Sequence, residues 1–199
     1  TLIFGSNDLG LYFDISVHAG TLIAVVYYFR NEIFLMSKSF LATSNFNEDK
    51  NLAIQLIIAT IPIVILGYIF KDLISQRIFS INDIAISNLI FASILLFAFL
   101  NNKGKKNLIN ITILGACFIG LFQCFALIPG ASRSGAAITA GLLIGLSLKD
   151  ASKFAFLLAI PTILGALTLL IFDLNNGNVS FDLLNIIIGF FTSMIFAFF

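Results

Sequence analysis

Charge is scarce in this chain: 11% of its 199 residues are Asp, Glu, Lys or Arg, against 59% hydrophobic residues and a mean hydropathy of +1.06. A soluble domain of that balance could not cover its surface with polar groups, so the composition excludes a water-exposed globule and predicts a polytopic membrane protein. Cysteine is nearly absent. Cys117 and Cys124, seven apart in one apolar run, imply no disulfide or metal framework and read as small packing residues. Histidine occurs once, at position 18, and reads as a packed or interfacial group rather than a catalytic base. Carboxylates are missing from the apolar interior. Asp8, Asp14, Glu32, Glu48, Asp49, Asp72, Asp83, Asp150, Asp173 and Asp182 all fall in or beside predicted loops, which leaves none deep in the bilayer to activate water or bind a metal.

What the chain does have is long apolar segments, at 15–29, 52–70, 84–100, 108–128, 154–172 and 183–199. Most approach the roughly 20 residues needed to cross a hydrocarbon core about 30 Å thick, and they are too evenly spread for a signal peptide. We expect one transmembrane domain over 1–199, with spanning segments at 15–29, 52–70, 84–100, 154–172 and 183–199. Lysine and arginine orient such proteins. The loops 30–50 (Arg30, Lys38, Lys50), 101–107 (Lys103, Lys105, Lys106) and 147–153 (Lys149, Lys153) are basic and read as cytoplasmic, whereas 71–83 and 173–182 read as external. The three lysines of 101–107 act as a topology determinant in this reading, with an anionic-lipid patch as the alternative.

With 101–107 and 147–153 on one side, the segment between them must return to the side it left, so 108–146 is predicted to be a re-entrant hairpin. Its first arm, 108–128, would rise about 31 Å and its return arm, 135–146, about 18 Å at 1.5 Å per residue. Pro129 lacks an amide hydrogen and Gly130 permits positive φ, so the first helix stops there and the second starts near Ser132 or Ser134. Non-helical backbone at that depth needs burial in protein or a water-filled cavity, so a cavity is expected at the tip. Gly141 and Gly145 have the small-xxx-small spacing of close helix packing. Ser147-x-x-Asp150 resembles a capping box opening the following helix, and Pro62 and Pro161 are expected to kink their helices.

The tip carries Arg133 between Ser132 and Ser134. A guanidinium at membrane depth costs roughly 2.5–3.5 kcal/mol even on lenient insertion scales, so it should face a cavity or an anion. A helix N-terminus offers unpaired amides and the positive end of its dipole, the serines add neutral donors, and arginine presents a fork suited to phosphate oxygens. The alternative is an arginine that snorkels to the interface beside serines that only cap a helix.

The string from Phe122 and Gln123 through Pro129-Gly130-Ala131-Ser132-Arg133-Ser134-Gly135, with Phe154–Thr162 and Phe13-Asp14-Ile15 through His18 to Arg30, resembles the undecaprenyl-diphosphate phosphatase family, the bacitracin-resistance proteins. The resemblance implies an all-α polytopic inverted-repeat bundle with two re-entrant hairpins. It implies dephosphorylation of undecaprenyl diphosphate in the bacterial inner membrane, recycling the lipid carrier of peptidoglycan synthesis. Arg133, Ser132 and Ser134 would be catalytic, and Gly130, Gly135 and Gln123 substrate-binding. The family's first signature, paired glutamates and a Ser-Ser-x-x-His-like string, has no match here. Since the chain opens on Thr1 and closes on an apolar run, we expect a fragment lacking the first re-entrant hairpin and a last spanning helix. No metal site is expected in this chain, with a divalent cation left open for the complete protein. The expected partners are a polyprenyl diphosphate and the bilayer, with a second copy of the chain as a candidate and no nucleic acid. Competing readings are a lipid-carrier or ion transporter of inverted-repeat type and an inactive module that sequesters the lipid.

Overall fold

The computed structural model describes residues 10–41, 48–76, 78–104, 106–175 and 183–199. Asp8, Arg77, Lys105, Asp182 and most of the expected external loop 173–182 lie outside the described residues. The regular structure is helical: α1 (Gly10–Tyr28), α2 (Arg30–Leu41), α3 (Glu48–Ile69), α4 (Lys71–Ser75), α5 (Ile81–Asn101), α6 (Ile113–Gln123), α7 (Arg133–Leu143), α8 (Leu148–Asn175) and α9 (Leu183–Phe198). This is an all-α polytopic membrane protein. α3, α5 and the Leu148–Phe172 part of α8 are long and apolar enough to cross a bilayer, and shorter apolar helices occupy Phe13–Tyr28, Ile113–Leu127 and Leu183–Phe198.

Apolar side chains cover the outside. Leu89, Leu100 and Phe196 are 68%, 70% and 79% exposed, a surface that only lipid or protein can cover. Small residues dominate where helices meet, as expected when no water-driven force separates inside from outside and close packing must hold the bundle.

Contacts group the chain into two units, one of residues 1–28 with 163–199 and one of residues 29–162. In the first, α1 packs along α9 at two glycines. A methyl group on Gly20 would strike Ser193 and the Phe190 carbonyl, and one on Gly189 would strike the Phe13 ring. Tyr27 and Phe198 meet edge to face at 5.6 Å between centroids.

In the second unit α3 packs on α6, α6 on α7, and α7 on α5. Gly120 of α6 lies against the backbone of Ala59, where any side chain would collide. Buried Gln55 of α3 donates from Nε2 to the Ile111 carbonyl at 2.6 Å, fixing the non-helical stretch before α6. Pro62 and Pro161 lie inside the continuous helices α3 and α8. The start of α8 buries Ala151, Phe154, Ala155, Leu157 and Leu158.

Parts of the 30–50 and 71–83 loops are helical instead, as α2 and α4. α2 is amphipathic, with Glu32 in its first turn and Lys38 in its last, complementing the helix dipole. Glu32 accepts from Lys153 Nζ at 2.9 Å, and both side chains are about one-third exposed (33% and 34%). The hydrogen bond from Lys153 holds the Glu32 carboxyl below its ordinary value of 4.5, against the opposing effect of its partial burial. A depressed folded-state pKa contributes stability that is complete above the ordinary value and lost as pH falls through the folded one. At such exposure the pair is worth no more than about 1 kcal/mol. Lys153→Met is therefore expected to lower the detergent melting temperature slightly at pH 7, with the difference from wild type vanishing at acid pH. A difference that persists unchanged at acid pH would assign the loss to packing.

Candidate functional site

The hairpin is closed at its base by main-chain bonds. Lys106 N–H donates to the Gly145 carbonyl at 3.0 Å and the Ser147 N–H donates to the Lys106 carbonyl at 3.1 Å, while Asn102 Nδ2 reaches the Leu146 carbonyl at 2.6 Å. The two ends therefore lie together, and the segment returns to where it began.

The arms are more alike in length than the sequence suggested. Residues 108–128 are not one helix. A 3-10 turn at Leu108–Asn110 is followed by a break, and α6 starts only after Thr112, whose Oγ1 accepts from the Gly115 N–H at 3.1 Å. The helix then tightens into a 3-10 turn at Cys124–Leu127. The apolar run concealed this division because Asn110 and Thr112 are both capping types in it and Gln55, which anchors the break, is remote in sequence. Cys124 Sγ donates to the Gly120 carbonyl at 3.3 Å, and both cysteines are free thiols.

At the tip, the Ala131 N–H donates to the Ile128 carbonyl at 3.1 Å across Pro129 and Gly130, with Gly130 at φ +95°. Proline then positive-φ glycine is the pattern of a type II turn. Gly130 also backs onto α5, where a methyl group would strike the Ile84 carbonyl and sit 3.2 Å from the Asn88 nitrogen.

The choice between Ser132 and Ser134 as helix start resolves to Ser132. It has extended backbone, and its Oγ accepts from the Gly135 N–H at 3.2 Å and lies 3.3 Å from Ser134 Oγ. Arg133 and Ser134 occupy the first helical positions, whose N–H groups have no acceptor within a helix. Ser132→Ala is expected to cost about 1 kcal/mol through loss of this cap, and Ser132→Gly only a few tenths. Thermal unfolding of the two variants in detergent checks this, since equal losses would exclude a capping role.

Arg133 is half-buried, and its Nη1 is buried without a hydrogen-bond partner. Neither a snorkelling arginine nor a satisfied structural one leaves a guanidinium nitrogen in that state. Gln123, the last residue of α6, is fully buried with both amide atoms unpaired. Gly130 and Gly135 build the turn and the cap contact.

A cavity of about 580 Å³ borders the tip at Ile128, walled by Ile78, Phe79, Ile86, Ile90 and Phe91, with Ser87 and Asp83 supplying polar atoms. Arg133 is not part of that wall. The Asp83 carboxylate is engaged by the Ser80 N–H at 2.9 Å and hydroxyl at 2.7 Å in a full capping box that starts α5. This box was legible as Ser80-x-x-Asp83, the same spacing that drew attention to Ser147.

At Ser147 the box is incomplete. Its Oγ accepts from the Asp150 N–H at 3.1 Å and its hydroxyl donates to Asp150 Oδ2, but its own N–H is taken by Lys106. The glycine pair also divides. Gly141 packs, since a methyl group there would lie 2.8 Å from Ala151 Cβ, whereas Gly145 has φ +92° and ends α7. The Leu146 N–H donates to the Gly141 carbonyl and the Gly145 N–H to that of Leu142, a Schellman ending that requires glycine for its backbone and not for helix contact.

Among the described residues no group of three His, Cys, Asp or Glu is placed to hold a metal. The charge at the tip is of the sign that suits an anion.

The family described as "Bacitracin resistance protein BacA" matches residues 1–199. Among curated relatives, the undecaprenyl-diphosphatase of Alcanivorax borkumensis is 42% identical over 183 residues, covering 90% of this chain and 69% of that protein. That of Alteromonas mediterranea is 41% identical over 184 residues with the same coverage of 90% and 69%. The undecaprenyl-diphosphatase 1 of Pseudoalteromonas translucida is 44% identical over 165 residues, covering 81% of this chain and 62% of that protein.

Proposed function

The chain belongs to the BacA bacitracin-resistance family, and from that membership we propose that it takes part in hydrolysis of undecaprenyl diphosphate to undecaprenyl phosphate and inorganic phosphate. The setting would be the bacterial inner membrane, where the reaction returns the lipid carrier to peptidoglycan synthesis and underlies bacitracin resistance. The observation that carries this reading is Arg133. Its charge is half-buried at a helix N-terminus with Nη1 unpaired by protein, an arrangement that an arriving phosphate would complete.

In the reaction, an oxygen of water, or of a serine hydroxyl whose phosphoester water then cleaves, attacks the terminal phosphorus as its bond to the bridging oxygen breaks, and the attacker's proton passes to the leaving phosphate or to solvent. Negative charge builds on the leaving monophosphate and on the equatorial oxygens. The Arg133 fork neutralises those oxygens and the leading N–H groups of α7 add donors. Ser134 and Ser132 serve as hydrogen-bonding partners, or one of them as the nucleophile. Ser132 is the poorer candidate for attack, because its oxygen already accepts the Gly135 N–H. The unpaired Gln123 amide is a further polar group for the substrate, and Gly130 and Gly135 serve it indirectly, by holding the turn and the cap contact that present the start of α7.

The test is phosphate release from a polyprenyl diphosphate by the full-length protein in detergent. Release at a rate abolished in a Ser134→Ala, Ser132→Gly double variant supports direct hydroxyl participation, and unaltered release removes it. Transfer of lipid across proteoliposomes without release of phosphate would overturn the hydrolase reading in favour of transport.

A further inference from the structure

The two ends of the hairpin border a second cavity, at the opposite end of α7 from Arg133 and outside the proposed reaction site. It measures about 420 Å³ and combines a polar rim of Lys106, Asn110 and Thr112 with an apolar wall that includes Leu114, Phe118 and Leu143. We propose that this cavity binds an anionic phospholipid, with the phosphodiester at Lys106 and Asn110 and the beginning of an acyl chain along Leu114, Phe118 and Leu143.

The position of Lys106 is fixed. Its N–H and carbonyl are bonded to Gly145 and Ser147, and its side-chain carbons pass over Gly145, where a methyl group would sit 3.7 Å from Cδ. Ordering that stem in advance lowers what a ligand must spend in conformational freedom. The opposite wall is equally set, by the Gln55 bond to the Ile111 carbonyl and the Thr112 cap. Among the described residues no carboxylate is bonded to the Lys106 ammonium, so the charge remains available for an external anion.

The apolar wall decides between a lipid and a free anion. Leu114 is 82% exposed, and Phe118 and Leu143 are exposed beside it, so the cavity opens laterally onto the surface that meets hydrocarbon. Its basic rim lies at the end of the hairpin that the lysine distribution assigns to the cytoplasmic leaflet, where anionic headgroups concentrate.

The experiment compares retention of phosphatidylglycerol and phosphatidylcholine by the full-length protein in detergent, read by native mass spectrometry. The proteins are wild type, Lys106→Gln, Lys106→Arg and, as a charge-matched control, Lys103→Gln. Wild type should retain phosphatidylglycerol preferentially. Lys106→Gln should bind it about fivefold more weakly, as for one lysine near an anionic surface, while Lys106→Arg and Lys103→Gln remain close to wild type. Equal retention of the two lipids overturns the proposal. Equal losses in Lys106→Gln and Lys103→Gln also overturn it, because they describe a diffuse basic surface. So does competition by soluble glycerol phosphate as effective as that by lipid. Because no arm measures phosphate release, the result is independent of the proposed hydrolysis.

Discussion

Arg133→Ala is expected to lower kcat/KM for phosphate release by on the order of 10³-fold while leaving the melting temperature in detergent unchanged or higher. The rate effect follows from the position of the charge. An arginine aimed at a transferring phosphoryl group, in a site shielded from water, contributes about 10²- to 10⁵-fold across the cases where such donors have been removed. The stability effect has the opposite sign for a physical reason. Nη1 is buried and makes no bond to protein, so truncation breaks no native hydrogen bond and relieves a desolvated, unpaired charge. An arginine kept for structure would behave in reverse, losing stability first and activity only as a consequence.

Arg133→Lys separates charge from geometry. Lysine keeps the positive charge as a point but loses the planar pair of donors, so an intermediate rate is expected if two phosphate oxygens are held together. Recovery to the wild-type rate would reduce the role to general electrostatics. Full phosphate release by Arg133→Ala would remove it altogether.

Much of the hairpin was legible because its signals are local. Proline followed by glycine stops one helix, and a serine three residues before Gly135 starts the next, whatever surrounds them; Gly130 and Ser132 occupy those roles. The positions of the turn and of the cap were therefore legible. Nonlocal geometry was not. The break at Ile111 depends on Gln55, fifty-six residues earlier. The small-residue spacing of Gly141 and Gly145 could not distinguish a packing glycine from one that ends a helix. A motif likewise marked Gln123 as a substrate contact without revealing that its amide is buried and unpaired.

Gly130→Ala provides the second large effect, because it tests whether the tip is held in register by α5. At φ +95° an L-residue is disfavoured by roughly 1–2 kcal/mol. The added methyl group would also press on the Ile84 carbonyl and approach Asn88, an overpacking cost of about 1–3 kcal/mol. The turn can absorb this only by moving away from α5 or by changing its backbone conformation, and either shift carries Ser132 and Arg133 with it, since only Ala131 separates Gly130 from Ser132. A displacement near 1 Å is enough to lower an aligned reaction on the order of 10²-fold. Gly130→Ala should therefore lose both stability, by about 2–5 kcal/mol, and rate. Gly67→Ala in the last turn of α3 is the control: its methyl group would meet only Leu127 Cδ2 at 4.0 Å, and with no positive φ to strain it the exchange should stabilise by roughly 0.4–1 kcal/mol. If Gly130→Ala retained both its melting temperature and its phosphate release, α5 would not be positioning the tip, and the placement of Arg133 would have to come from α7 and α6 alone.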